Sequence, residues 1–175
     1  MRFGKSQVDI AKLLSKVSPI YQNLLQKDIQ RIPLFKDGYN ALVLFLNNYA
    51  YERQGAAKAY PKIAVRCVSN KYKNPSNWTC PTKDDAECLW TEYQKIASED
   101  YNLKVNEKRN PMNENDGVIS RLASNGISNI ADYVKNRMNC GKTTEAHNFL
   151  KSIRGIGEKI ASFLFAGYCL LGRFR

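Results

Sequence analysis

The stretch Ile153-Arg154-Gly155-Ile156-Gly157-Glu158-Lys159-Ile160-Ala161 decides how this chain is read. Before it, Ala146, Phe149, Leu150 and Ile153 fall at i, i+3, i+4 and i+7, an apolar stripe on one helix face. Thr143 or Thr144 can cap that helix, and Glu145 suits its first turn. Lys151 and Arg154 close it with positive charge, where the helix dipole favours it. Gly155-Ile156-Gly157 then breaks the helix. A second helix begins at Glu158 and is apolar nearly all round, with Ile160, Ala161, Phe163, Leu164 and Phe165. A helix of that kind belongs inside a core.

Two helices joined by Gly-Ile-Gly make a tight hairpin. Glycine takes positive φ without steric penalty, and it lets another group come close to the backbone. Ile156 can pack inward and fix the turn. The amides at the start of the second helix have no partner within it, so they and the dipole suit a phosphate. Lys151, Arg154 and Lys159 add charge around the same point. The pattern reads as a grip on a nucleic-acid backbone that ignores base sequence. The alternative is a helix junction whose glycines only end one helix.

Composition agrees with a polyanion partner. Lys plus Arg number 27 against 16 for Asp plus Glu, a net charge of +11. A field of that sign favours nucleic acid first and an anionic membrane second. Hydrophobic residues at 43% suffice for a core, and 175 residues fit one helical domain spanning 1–175. The longest apolar run, Ile160 to Leu171, is too short to span a bilayer, and Met1 to Gln7 is short and polar. No membrane partner and a cytoplasmic location are the expectations. Cys67, Cys80, Cys88, Cys140 and Cys169 form no C-x-x-C pair, and His147 is the single histidine. Free thiols are expected, with no metal and no cofactor.

The rest of the chain reads as helix separated by two long loops. Helices are expected at Val8 to Ser15, Pro19 to Gln30, Tyr39 to Tyr51, Tyr60 to Val68, Asp84 to Ala97, Gly117 to Ala123 and Ser128 to Met138. Tyr39 to Tyr51 is dense enough in apolar residues that a strand is its runner-up. Ser69 to Lys83 and Asn102 to Gly117 are the loops; long loops are often functional or mobile. The fold class is therefore all-α. Trp78, Trp90 and Tyr93 could stack on a base or fill the core. Gly141-Lys142-Thr143 ends like a P-loop but lacks the first glycine, since Asn136 stands there. Asn77-Trp78-Thr79 is a glycosylation sequon without a route to a secretory compartment.

The hairpin string resembles the signature of the helix-hairpin-helix DNA-glycosylase superfamily, Leu/Ile-x-Gly-hydrophobic-Gly-x-Lys-x-Ala. Ile153, Gly155, Ile156, Gly157, Lys159 and Ala161 carry the match, within a hairpin of about 143–171. The resemblance implies a helical DNA-glycosylase-like fold and non-specific backbone contacts through Gly155, Ile156, Gly157, Arg154 and Lys151. It implies that the amine of Lys159 attacks C1′ of a damaged nucleoside and forms a Schiff base, as in members that also cleave the abasic strand. A structural lysine contacting phosphate is the other reading of Lys159. Leu42 to Leu46, followed by Ala50-Tyr51-Glu52-Arg53-Gln54, resembles the family's buried helix and the polar residue that fills the gap left by a flipped base. Gln54 is that candidate, or else an exposed surface glutamine.

The chain departs from the family in two respects. The family places a catalytic aspartate beyond the second hairpin helix, and no Asp or Glu follows Glu158 here. The family's iron–sulfur cysteines are also missing. The expectation is a C-terminally truncated glycosylase-like protein that binds DNA and is impaired in base excision. Loss of closing helices would leave Ile160 to Leu171 partly uncovered, so self-association is expected. A non-enzymatic helical scaffold or protein-interaction module is the alternative.

Overall fold

The computed structural model describes residues 36–52, 56–162 and 164, all within the unit Leu34–Arg175. The helices expected at Val8 to Ser15 and Pro19 to Gln30, together with Gln54, lie outside the described residues.

The protein is all-α, with no strand among the described residues. Helix α1 is Gly38–Asn48, α2 is Tyr60–Tyr72 and α3 is Lys83–Glu99. Helix α4 is Val118–Ser124, α5 is Ile130–Asn139 and α6 is Thr143–Ser152. Short 3-10 turns occupy Pro75–Asn77 and Glu107–Arg109. After α6 the chain turns, and residues 158–162 and 164 are again helical.

Periodicity explains which faces are buried. In α3 the buried residues are Ala86, Leu89, Trp90, Tyr93, Ile96 and Ala97, one stripe at helical spacing. In α1, Tyr39, Leu42 and Leu46 align with Ala41 and Phe45, which excludes the strand alternative there. Successive helices pack α1 on α2, α2 on α3 and α3 on α4, while α5 packs on both α6 and α1. Their buried faces form a single core that also holds Ile153, Ile156, Ile160, Ala161 and Leu164. Trp90 and Tyr93 belong to this core, their rings stacked 6.0 Å apart. Trp78 is half-buried and donates from Nε1 to the Ser128 carbonyl at 2.7 Å, so it ties two loops together.

Capping sets several boundaries. Thr82 and Asp85 form a reciprocal capping box at the start of α3. Asn129 accepts from the amides of Ala131 and Asp132 at the start of α5. At α6 the expectation needs correction. Lys142 occupies the capping position with no side-chain cap, and Thr143 and Thr144 are already helical. Helix α2 also extends to Tyr72, beyond the expected Val68, because Tyr72 reaches the core.

Candidate nucleic-acid interface

Helix α6 buries Ala146, Phe149 and Leu150, and Ile153 caps its end with extended backbone. Arg154, Gly155, Ile156 and Gly157 make the turn. The Ile156 amide donates to the Ile153 carbonyl at 3.0 Å, and Ala161 donates back to Gly157 at 3.0 Å. Ile156 is buried at 5% exposure, so it pins the turn to the core, and Lys159 is exposed in the first turn beyond.

Two glycines that look alike in the sequence differ in their surroundings. Gly155 has φ of +83°, and a β-carbon on it would lie 2.4 Å from the Arg109 carbonyl oxygen. Both the conformation and the space there demand glycine. Gly157 has no atom within 4 Å of the place a β-carbon would take. Gly155 therefore faces the protein, and Gly157 faces open space. The sequence pattern assigns both to the phosphate; the close packing against Arg109 takes that side of Gly155 away from any ligand.

The basic residues are also occupied differently from the simple sum of charges. Arg154 pairs through Nη2 with the Asp116 carboxylate, and its amide donates to the Asp116 carbonyl at 2.7 Å. The other oxygen of Asp116 accepts from Arg121 at 2.7 Å, and Arg121 Nε donates to the Ser152 carbonyl at 3.0 Å. Asp116 thus bolts the 110–117 loop to the end of α6. Lys151 pairs with Glu158 at 2.6 Å, and His147 Nε2 lies 3.2 Å from the other Glu158 oxygen. The Lys151 ammonium beside Glu158 holds its carboxyl below the usual carboxylate range. Arg154 and Lys151 are thus held by acids of the fold, which the linear sequence does not reveal.

The 110–117 loop is more fixed than its polar sequence suggests. Asn110 and Asn113 are buried. Asn110 Oδ1 accepts from the Tyr51 hydroxyl at 3.1 Å and from the Met112 amide at 2.9 Å. Asn113 Oδ1 accepts from the amides of Asn115 and Asp116. Side chains here replace backbone partners, which is how a buried loop satisfies its amides. This anchored loop brings the Arg109 carbonyl against Gly155. Sequence distance hides that contact, and Gly155 is the available signal: a glycine needs a reason, and here it is a close backbone neighbour.

Among the described residues no three His, Cys, Asp or Glu side chains gather as a metal site. No described helix is long and apolar enough to cross a membrane. No protein-family model matches the chain, and no curated protein or solved structure matches it.

Proposed function

We propose that this chain is a DNA-binding protein of the helix-hairpin-helix type, resembling the base-excision glycosylase/AP lyases. The observation that supports it is the turn itself. Gly155 and Ile156 fix its shape against the core, while Gly157 leaves the backbone open to approach at the start of a helix. The net charge of +11 supplies long-range attraction to a polyanion. Contacts of this kind hold phosphates and read no bases.

Binding to duplex DNA should be weak, indifferent to sequence and steeply salt-dependent, because phosphate contacts release counterions. Gly157→Val should weaken it without unfolding the protein, since the added side chain meets only open space. Equal affinity of a folded Gly157→Val protein in a fluorescence titration would remove the turn from the contact.

Lys159, exposed in the first turn beside Gly157, is the proposed nucleophile. An abasic site exposes an aldehyde, so its C1′ can be attacked by a neutral amine, with water lost as the Schiff base forms. Weak borohydride trapping on abasic duplex, abolished in Lys159→Ala, is expected. Equal adduct from both proteins would leave Lys159 a phosphate contact.

A second reading has its own support. With Arg154 held by Asp116 and Lys151 by Glu158, the hairpin can serve only to turn the chain in a helical scaffold or protein-interaction module. Absence of salt-dependent DNA affinity would favour it.

A further inference from the structure

We propose that Cys88 is a site of reversible oxidation by hydrogen peroxide, its sulfenic acid held between the Lys71 ammonium and the buried Tyr72 hydroxyl. The site lies where α2 packs on α3, and it stands whether or not the chain binds DNA.

Lys71 and Tyr72 end α2, while Asp85 and Cys88 sit three positions apart, one above the other, early in α3. Lys71 Nζ is 2.9 Å from one oxygen of Asp85, and the other oxygen accepts from the Thr82 amide at 2.8 Å. This bridge sets the ammonium against the face of α3 that carries Cys88, close enough for the two groups to interact. Cys88 is exposed, so peroxide can reach it. Tyr72 is only 7% exposed, and its hydroxyl is buried with no hydrogen-bond partner among the described residues. A buried hydroxyl without a partner is costly and uncommon. This one neighbours Asp85 and Cys88 and is bonded to neither. Burial pushes the Tyr72 hydroxyl well above its ordinary value, and the bond to Asp85 raises Lys71. Both therefore keep their protons at neutral pH and can donate them in hydrogen bonds.

An oxygen added to the Cys88 sulfur is the acceptor that Tyr72 lacks. An ammonium carries three protons, and Asp85 takes one of them, so Lys71 has others to offer. In the reaction the sulfur attacks one peroxide oxygen, forming the S–O bond as the O–O bond breaks. The second oxygen leaves as hydroxide and becomes water with the proton that the thiol gives up. The sulfur loses two electrons and the peroxide gains them. Donors fixed beside the reacting oxygens stabilise the charge that develops there. The sulfenic acid is returned to the thiol by a reductant.

The test is limited hydrogen peroxide added to the folded full chain in the presence of dimedone, followed by site-resolved mass spectrometry. Cys80, also exposed, is the comparison within the same molecule, and buried Cys67 reports unfolding. Cys88 should be labelled several-fold faster than Cys80. Tyr72→Phe and Lys71→Gln should each slow Cys88 by about three- to tenfold, the worth of a hydrogen bond to a charged group. The rate at Cys80 should not move. If Lys71→Gln unfolds the chain, Cys67 is labelled as well, and Tyr72→Phe, which removes only a hydroxyl without a partner, then decides. Labelling of Cys88 no faster than Cys80 overturns the proposal. So does a Cys88 rate that Tyr72→Phe leaves unchanged.

Discussion

The α-carbon of Gly155 is held so close to the Arg109 carbonyl that a β-carbon would approach the oxygen to 2.4 Å, with φ at +83°. This contact joins the turn after α6 to a loop more than forty residues earlier. Gly155→Ala must therefore meet both a strained backbone and a collision with a main-chain atom. The backbone alone costs about 1–2 kcal/mol, and the collision adds to it. Gly157→Ala should cost about 0.5–1 kcal/mol, because glycine caps a helix better than alanine does. Urea unfolding of the two variants checks the contrast, and equal losses would refute the division of roles.

Asp116 joins Arg121 and Arg154, and through them the 110–117 loop to α6. Asp116→Ala leaves two guanidinium groups side by side without their shared anion. A loss of about 1–2 kcal/mol is expected, as for a charged, partly exposed hydrogen-bonded network. Hydrogen exchange should quicken at the Arg154 amide, which donates to the Asp116 carbonyl. Unaltered exchange there would mean that the carboxylate does not secure the loop.

Lys71 and Asp85 tie α2 to α3 at 2.9 Å. Burial opposes ionisation of Asp85, but the bonds from Lys71 and Thr82 outweigh it and hold its carboxyl below the ordinary value of 3.8. Lys71 is correspondingly raised by its bond to Asp85. With the folded carboxyl lowered, this stability is fully present above pH ~4 and is lost as pH falls toward the folded value. Asp85→Asn should lower stability by about 1 kcal/mol at neutral pH. The gap from the unaltered protein should close on acidification, as read by thermal melts across pH. A gap constant with pH would show that the charge contributes nothing.

Cys67 is fully buried, whereas Cys80, Cys88 and Cys140 are exposed. Burial, aided by nearby Glu92, pushes the Cys67 thiol up to about 12. At pH 8 it stays a thiol and is sheltered from reagents. Site-resolved mass spectrometry after disulfide-exchange labelling should find the three exposed cysteines modified in the folded protein. Cys67 should be modified only on unfolding. Native labelling of Cys67 at the rate of Cys140 would contradict its place in the core.

Linear pattern suffices for the all-α class and most helix positions, because a stripe such as Ala86, Leu89, Trp90, Tyr93 and Ala97 can be buried only on a helix face. It also marks the turn at Gly155–Gly157, since glycine alone among the residues there needs no side-chain space. It does not tell the two glycines apart. That difference depends on Arg109, whose carbonyl reaches Gly155 only after the chain has folded back. Composition presents Lys151 and Arg154 as bare cations, because it counts charges and not their partners. Glu158 and Asp116 reach those side chains through space. The 102–117 stretch reads as a loop, and so it is apart from one 3-10 turn. Its fixed course rests on Asn110 meeting Tyr51 across fifty-nine positions of sequence. Local pattern decides which way each residue faces, whereas the identity of what it faces is set by long-range closure of the chain, and only the tertiary structure supplies that.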